Sequence, residues 1–303
     1  MSFSVDPQVL SREIVRMMQD FSIEVMPAEL AHRTRLPADL APGSRVYVPW
    51  IVGQVFEPGL RAVVRLRELG LTPVPHIAAR AIPDARALDH LLGQLAREAQ
   101  VDQALLVAGS QRQAQGSYDN TLQLLASGLF EQHGWKSLAL AAHPEGSPDI
   151  LADALARALL DKNSYAGNTQ IALRLVTQFC FAAGPLVDWE QQARVSGNRL
   201  PVHVGLAGLA SLPTLLRYAR SCGVGASIGA LTHQSGRLLQ LASGLHPGEI
   251  MVALARARLG DPLCRVERIH LFPFGSLDAT VAWAAAVARG EFKLCHDGTD
   301  IKV

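Results

Sequence analysis

Residues 21–27 read Phe21-Ser22-Ile23-Glu24-Val25-Met26-Pro27. Alternation puts Phe21, Ile23 and Val25 on one face of a strand and Ser22, Glu24 and Met26 on the other. Pro27 stops the strand, because proline has no N–H to give a continuing ladder. A carboxylate at the end of an apolar strand is expensive to bury without a partner or a task. Taken alone, Glu24 reads as a strand-end residue that faces solvent or pairs with an arginine. The rest of the chain shifts that balance.

Seven more short apolar stretches follow, at residues 45–50, 72–77, 103–108, 137–142, 173–179, 201–206 and 268–273. The third, Thr72-Pro73-Val74-Pro75-His76-Ile77, carries two prolines that suit a central strand poorly. Helical spacing of apolar residues marks 7–19, 59–69, 84–100, 119–132, 149–162, 189–195, 212–222, 233–242, 247–259 and 277–289. Pro83-Asp84 opens one of these helices and Gly70 closes another. Strands alternating with helices in this way predict parallel pairing with right-handed crossovers. Eight such strands are what a closed (β/α)8 barrel, the TIM barrel, requires, here as one α/β domain over residues 1–303. An open doubly wound sheet is the alternative, but no G-x-G-x-x-G follows any early strand.

Composition narrows the function. Apolar residues at 49% and charged residues at 18% supply a large core and argue against disorder. A formal charge of +1 gives no footprint for nucleic acid or an anionic membrane. The start, Met1-Ser2-Phe3-Ser4-Val5-Asp6, lacks a signal-peptide pattern, and no uncharged apolar run is long enough to span a bilayer. Cys180, Cys222, Cys264 and Cys295 form no C-x-x-C pair, so reduced thiols in a cytoplasmic protein are expected. Cys295-His296-Asp297 is not read as a catalytic triplet, because adjacent side chains point in different directions. The apolar helices around residues 230–260 would suit a homo-oligomer and equally a buried barrel helix.

In a barrel, chemistry gathers at the C-terminal strand ends. Those ends carry Glu24, Trp50, His76, Gly109-Ser110, His143-Pro144-Glu145, Gln178, Gly205 and Phe272-Pro273-Phe274. His76 and His143 have no second ligand at metal-binding spacing, so no metal is expected. Glu145 reads as an orienting or helix-capping residue. Gln178 both donates and accepts, which suits an amide-bearing ring.

Taken together, these phrases resemble the methylenetetrahydrofolate reductase family, in its single-domain bacterial form. Its first strand carries S-F-E-F-F-P, here Ser22-Ile23-Glu24-Val25-Met26-Pro27. Its third carries P-H-L, here Pro75-His76-Ile77; its fifth, A-A-Y-P-E, here Ala141-Ala142-His143-Pro144-Glu145. Its sixth reads I-T-Q-F-F-F, here Val176-Thr177-Gln178-Phe179-Cys180-Phe181. Of P-G-I in the seventh, Gly205-Leu206 remains, and H-F-Y-T-L-N in the eighth is here His270-Leu271-Phe272-Pro273-Phe274-Gly275.

The resemblance implies a flavoprotein oxidoreductase of folate one-carbon metabolism and methionine biosynthesis. Such an enzyme reduces 5,10-methylenetetrahydrofolate to 5-methyltetrahydrofolate, with FAD as cofactor and NAD(P)H as co-substrate. It makes Glu24 the general acid that helps open the folate's five-membered ring. A carboxyl in a semi-apolar strand end has the raised pKa this needs. The implied cofactor contacts are His76, Gly109, Ser110, Ala142, His143, Lys162 and Gln178. The implied substrate contacts are Glu24, Gln178, Phe181 and Gly205.

The departures fall on the flavin side. R-G-D after the fourth strand is Ala108-Gly109-Ser110, a flavin-contacting Thr is Pro49, and the Tyr of the fifth phrase is His143. Lys162 stands in for a phosphate contact, and residues 163–170 read as an insertion. The alternatives are a flavin-poor or oxidative-direction form, or a folate-dependent transfer or binding barrel. The regulatory domain of larger relatives is expected to be absent.

Overall fold

The computed structural model describes residues 5–50, 56–222 and 247–303. It opens with helix α1 (Pro7–Met18), whose first turn is capped by the Asp6 carboxylate accepting from the N–H groups of Gln8 and Val9. Strand β1 (Ser22–Glu24) follows, and Pro27 ends it by taking the first position of a short helix, α2 (Pro27–His32). The chain continues through β2 (Arg45–Val48), α3 (Glu57–Glu68), β3 (Thr72–Ala78), α4 (Ala85–Ala99) and β4 (Gln103–Val107). After α5 (Thr121–Ala126) and α6 (Leu129–Gln132) come β5 (Ser137–Ala142), α7 (Ala152–Ala166), β6 (Ala172–Thr177) and α8 (Ala183–Val195). The last turns of the barrel are β7 (Val202–Ala207), α9 (Leu212–Cys222), α10 (Gly248–Gly260), β8 (Val266–Phe272) and α11 (Leu277–Ala288).

The strands pair in chain order, and β1 closes on β8 in parallel, with Ser22 opposite His270 and Ile23 opposite Leu271. The expected (β/α)8 barrel is therefore the fold. The period-two pattern divides the strand residues into two packed sets. Ile23, Val46, Ile77, Leu106, Leu140, Leu175, Val204 and Ile269 face outward into the layer shared with the helices. Tyr47, Val74, Leu105, Ala139 and Val176 form a separate cluster inside the barrel. Below that cluster the interior turns polar: Arg174 donates to the Tyr47 hydroxyl from Nε at 3.3 Å and Nη2 at 3.2 Å, and also to Ser137 Oγ.

The prolines of β3 fit because of where β4 begins. The Thr72 N–H donates to Ser44 O on the β2 side, so the intervening Pro73 and Pro75 face β4. The β4 ladder starts only at His76 opposite Leu105, so neither missing N–H removes a bond.

Several expected boundaries are corrected. The helix expected at 119–132 breaks in two because Gly128 adopts φ 70°, a left-handed conformation suited to glycine. Residues 163–166, read as part of an insertion, continue α7, where Asn163 Nδ2 donates to Leu159 O and Asn198 Oδ1. Helix α8 begins earlier than expected, at Ala183. A small antiparallel pair, β9 (Lys293–Leu294) and β10 (Ile301–Lys302), was not expected, since two-residue strands are too short to show a period. The helix expected at 233–242 lies outside the described residues. Among those described, no helix is long and apolar enough to cross a membrane.

Candidate functional site

The C-terminal strand ends enclose a cavity of about 450 Å³. Glu24, His76, Gly109, Ser110, Ala142, His143 and Gln178 all line it, arriving from β1, β3, β4, β5 and β6 and the loops just beyond them. Closure of the barrel is what brings these distant residues together.

Glu24 and His76 meet there. His76 Nε2 lies 3.5 Å from Glu24 Oε2, with the two side chains 12% and 17% exposed. Although the atoms are in contact range, Nε2 has no formed hydrogen bond among the described residues. Burial pushes the Glu24 carboxyl up to about 8 and the His76 imidazole down to about 3. At neutral pH the proton thus resides on Glu24, and the pair is a neutral acid beside a neutral base.

Gln178 sits across the cavity just past β6. Its N–H donates to Ala142 O at 2.9 Å, and its side-chain Oε1 accepts from the Phe179 N–H at 3.2 Å. With Oε1 so held, the NH2 end remains as a donor for a bound ring. Gly109 takes φ 96°, and a Cβ there would come 3.4 Å from Ala78 Cβ, so this turn after β4 is built for glycine. Burial first, and then the charge of Lys162, lower His143 to about 4.

Three expected contacts do not line the cavity. Lys162 is buried under β5 and donates from Nζ to Ala141 O at 2.7 Å, and burial lowers it to about 8. Facing that carbonyl, it is not placed to meet a cofactor phosphate. Phe181 packs edge-on against Phe179, with centroids 5.5 Å apart, in an apolar cluster with Ala207 and Leu215. Gly205 lies beneath the lining, where its N–H donates to Thr177 Oγ1 at 2.8 Å.

Other lining residues were missed as site residues. Phe179, Phe272, Phe274 and Tyr218 form an aromatic wall, in which Tyr218 stacks on Phe274 at 4.4 Å. Phe274 holds φ 50°, a costly conformation for a bulky side chain. The phrase Phe272-Pro273-Phe274 was a signal for this wall; Tyr218, inside a helical repeat, gave none. Arg80, on the turn after β3, is the one Lys or Arg side chain lining the cavity among the described residues. Its Nε donates to Asp119 Oδ1 at 2.8 Å and its Nη1 to Gln111 O at 3.1 Å.

No protein-family model matches the chain. Among solved structures, it is similar to an uncharacterized protein from Clostridium thermocellum that binds two copies of 5-methyl-5,6,7,8-tetrahydrofolic acid. That likeness has 10% identity and a TM-score of 0.55, covering 92% of this chain and 97% of the other. The probable 3-DHS dehydratase AsbF from Bacillus anthracis aligns over 88% of this chain and 98% of its own, at 14% identity and a TM-score of 0.42. At these identities the likeness is one of fold. The chemistry rests on the cavity itself, which offers a neutral carboxylic acid, an amide donor, an aromatic wall and a single guanidinium. That set suits a flat, polar-edged ring. Among the described residues, no group of three or more His, Cys, Asp or Glu side chains is arranged to hold a metal.

Proposed function

We propose that this protein is a folate-dependent one-carbon enzyme that reduces 5,10-methylenetetrahydrofolate to 5-methyltetrahydrofolate, with Glu24 as the proton donor. The observation that carries this reading is the protonated Glu24 carboxyl beside neutral His76, facing Gln178 across the cavity. Opening the folate's five-membered ring leaves a reactive iminium at N5 and needs a proton delivered towards N10. A carboxyl that keeps its proton at neutral pH can provide it, and a solvated glutamate cannot. Gln178 would hydrogen-bond the pterin edge, and the Phe272–Phe274 wall would exclude water from the ring. The folate-binding neighbour on the same fold is consistent with this reading.

The resemblance implies FAD as hydride carrier, and the lining fits it in part. His76, Gly109, Ser110, Ala142 and His143 would contact the flavin ring, whereas Lys162 is engaged with Ala141 and the remaining lining cation, Arg80, is already ion-paired with Asp119, so the phosphate end fits less well. When bound, FAD would supply hydride to the methylene carbon, with NAD(P)H as the co-substrate that restores it.

Titration of the purified protein with 5-methyltetrahydrofolate in a calorimeter tests the reading, together with its visible spectrum. Binding by wild type and by Glu24→Gln is expected, with methylenetetrahydrofolate turnover lost in the variant alone. A flavin spectrum bleached by NADH and restored by methylenetetrahydrofolate supports FAD as the carrier. A colourless protein that oxidises NAD(P)H only with the folate present indicates direct transfer from nicotinamide, favoured by the position of Lys162. Absence of folate binding would overturn the proposal.

A further inference from the structure

A second cavity, of about 260 Å³, opens at the opposite, N-terminal end of the barrel. Arg45 at the start of β2, Arg174 in β6 and Arg268 in β8 all line it, with His203, Asp20 and Glu267. None of the three guanidiniums forms an ion pair with a carboxylate among the described residues. Arg45 Nη2 donates to the Asp20 carbonyl at 2.8 Å, Arg268 Nη1 to the Glu267 carbonyl at 3.0 Å, and Arg174 to the hydroxyls of Tyr47 and Ser137. The Glu267 carboxylate pairs instead with His203, whose Nε2 lies 3.5 Å away.

The three guanidiniums are thus anchored by carbonyl and hydroxyl oxygens rather than by direct ion pairs, with the Asp20 and Glu267 carboxylates offsetting part of their charge. With both acids ionised and His203 neutral, the six named side chains sum to +1 (three arginines less two carboxylates). Arg45 Nε and His203 Nδ1 are buried without hydrogen-bond partners, and the His203 side chain is 6% exposed. Burial, followed by the charges of Arg174 and Arg45, lowers His203 even though Glu267 is beside it. Arg45 Nε is a buried, unpaired donor, costly unless something accepts from it, whereas neutral His203, whose Nε2–H faces Glu267, presents Nδ1 as an acceptor. Glu267, 47% exposed, marks the way in.

We propose that this basal cavity is a binding site for a phosphate group, separate from the cavity at the strand C-termini. A planar carboxylate is met fully by one guanidinium fork, whereas a tetrahedral oxyanion accepts from several directions at once. Guanidiniums arrive here from β2, β6 and β8; each nitrogen of Arg174 already donates to Tyr47 or Ser137, so Arg45, with its unpaired Nε, and Arg268 supply the donors for such an ion. Arg174 also links the site inward, since its partner Tyr47 packs its ring 4.4 Å from that of His270 and 6.2 Å from that of His76.

Calorimetric titration of the whole chain with inorganic phosphate, at constant ionic strength set with chloride, tests this. One phosphate per chain is expected, with Arg45→Gln and Arg268→Gln each weakening it about tenfold or more, as loss of a charge-assisted hydrogen bond implies. Arg80→Gln, which removes the cation of the other cavity, and Arg61→Gln, a surface change of equal charge, should leave the constant unmoved. Circular dichroism confirms that each variant is folded, and the wild-type titration stands without them. Tighter binding of glycerol 3-phosphate assigns the group to a phosphate ester, and tighter binding of inorganic phosphate assigns it to the free ion. No phosphate binding beyond chloride, affinity in Arg45→Gln and Arg268→Gln unchanged from wild type, loss in Arg80→Gln, or malonate binding as tightly as phosphate would overturn the proposal.

Discussion

His76 Nε2 stands 3.5 Å from Glu24 Oε2 in a cavity that excludes most water from both. Over most of the physiological range this pair is uncharged, with the carboxyl protonated and the imidazole neutral. His76 stays neutral and buried beside it, so it adds no charge that would draw the proton away from Glu24.

The pair makes stability depend on pH in a specific way. Glu24 keeps its proton up to about 8 in the folded chain but releases it near 4.5 when unfolded, so its contribution falls as pH rises through that window. His76 and His143, at about 3 and about 4 when folded against 6.5 unfolded, act with the opposite sign, as do the lowered His203 and His270, and they still add stability above pH 6.5 while the unfolded imidazoles finish titrating. Lys162, lowered to about 8 from 10.5, also acts with the opposite sign, beginning as pH approaches that value. Between pH 6.5 and 8, Glu24 alone should lower stability by roughly 1.5 kcal/mol, since the slope of 1.36 kcal/mol per unit is halved at its own midpoint, and the difference between wild type and Glu24→Gln isolates that drop from the opposing groups. Urea unfolding of both proteins at the two pH values measures it, and Glu24→Gln should lose that drop. A wild-type slope unchanged in the variant would place the titrating group elsewhere. Under the proposed mechanism, folate turnover should decline over the same range as the acid is lost.

Much of the site was legible because a closed parallel barrel converts sequence order into spatial convergence. Once eight strand ends were counted, Glu24, His76, Gly109, His143 and Gln178 had to face one opening, and they do. What stayed hidden depended on packing rather than pattern. Lys162 lies on α7, and nothing in its spacing says that its chain runs beneath β5 to the Ala141 carbonyl instead of upward to the cavity. Tyr218 reads as an ordinary helical residue until Phe274 stacks on it. The basal arginines stand at strand starts, where sequence reading of a barrel assigns structural roles. Their unpaired state is visible only from the contacts they do not make.

Lys162 gives a second prediction. Its ammonium contributes to holding His143 at about 4, after burial itself. Lys162→Met keeps the length and apolar stem of the side chain and removes the charge. The His143 imidazole should then titrate higher, towards 6.5, as followed by its ring proton shifts in NMR. A His143 titration unchanged in the variant would mean that burial alone sets it. The lost bond to Ala141 should cost about 1–3 kcal/mol in urea unfolding.

Gly205 supports the site from below, and its replacement should be felt in two ways. A Cβ at this position would fall 2.4 Å from Thr177 O, 2.8 Å from Phe272 Cε2 and 3.0 Å from the Gln178 carbonyl carbon. Two of those atoms are backbone of the strand end that presents Gln178, so relief requires moving β6 away from β7 or tilting the Phe272 ring into the cavity. Gly205→Ala should therefore destabilise the protein by about 3 kcal/mol, the upper end for overpacking. The control is Gly184→Ala in the first turn of α8, where an added Cβ meets nothing within 4 Å. There the smaller backbone freedom of the unfolded chain should stabilise by about 0.4–1 kcal/mol. Thermal and urea unfolding of the two variants gives the comparison, and calorimetric titration with 5-methyltetrahydrofolate adds the functional reading. Weaker folate binding in Gly205→Ala but not in Gly184→Ala would tie the close approach of β6 and β7 to the placing of Gln178. Equal binding in both would confine Gly205 to holding the barrel closed.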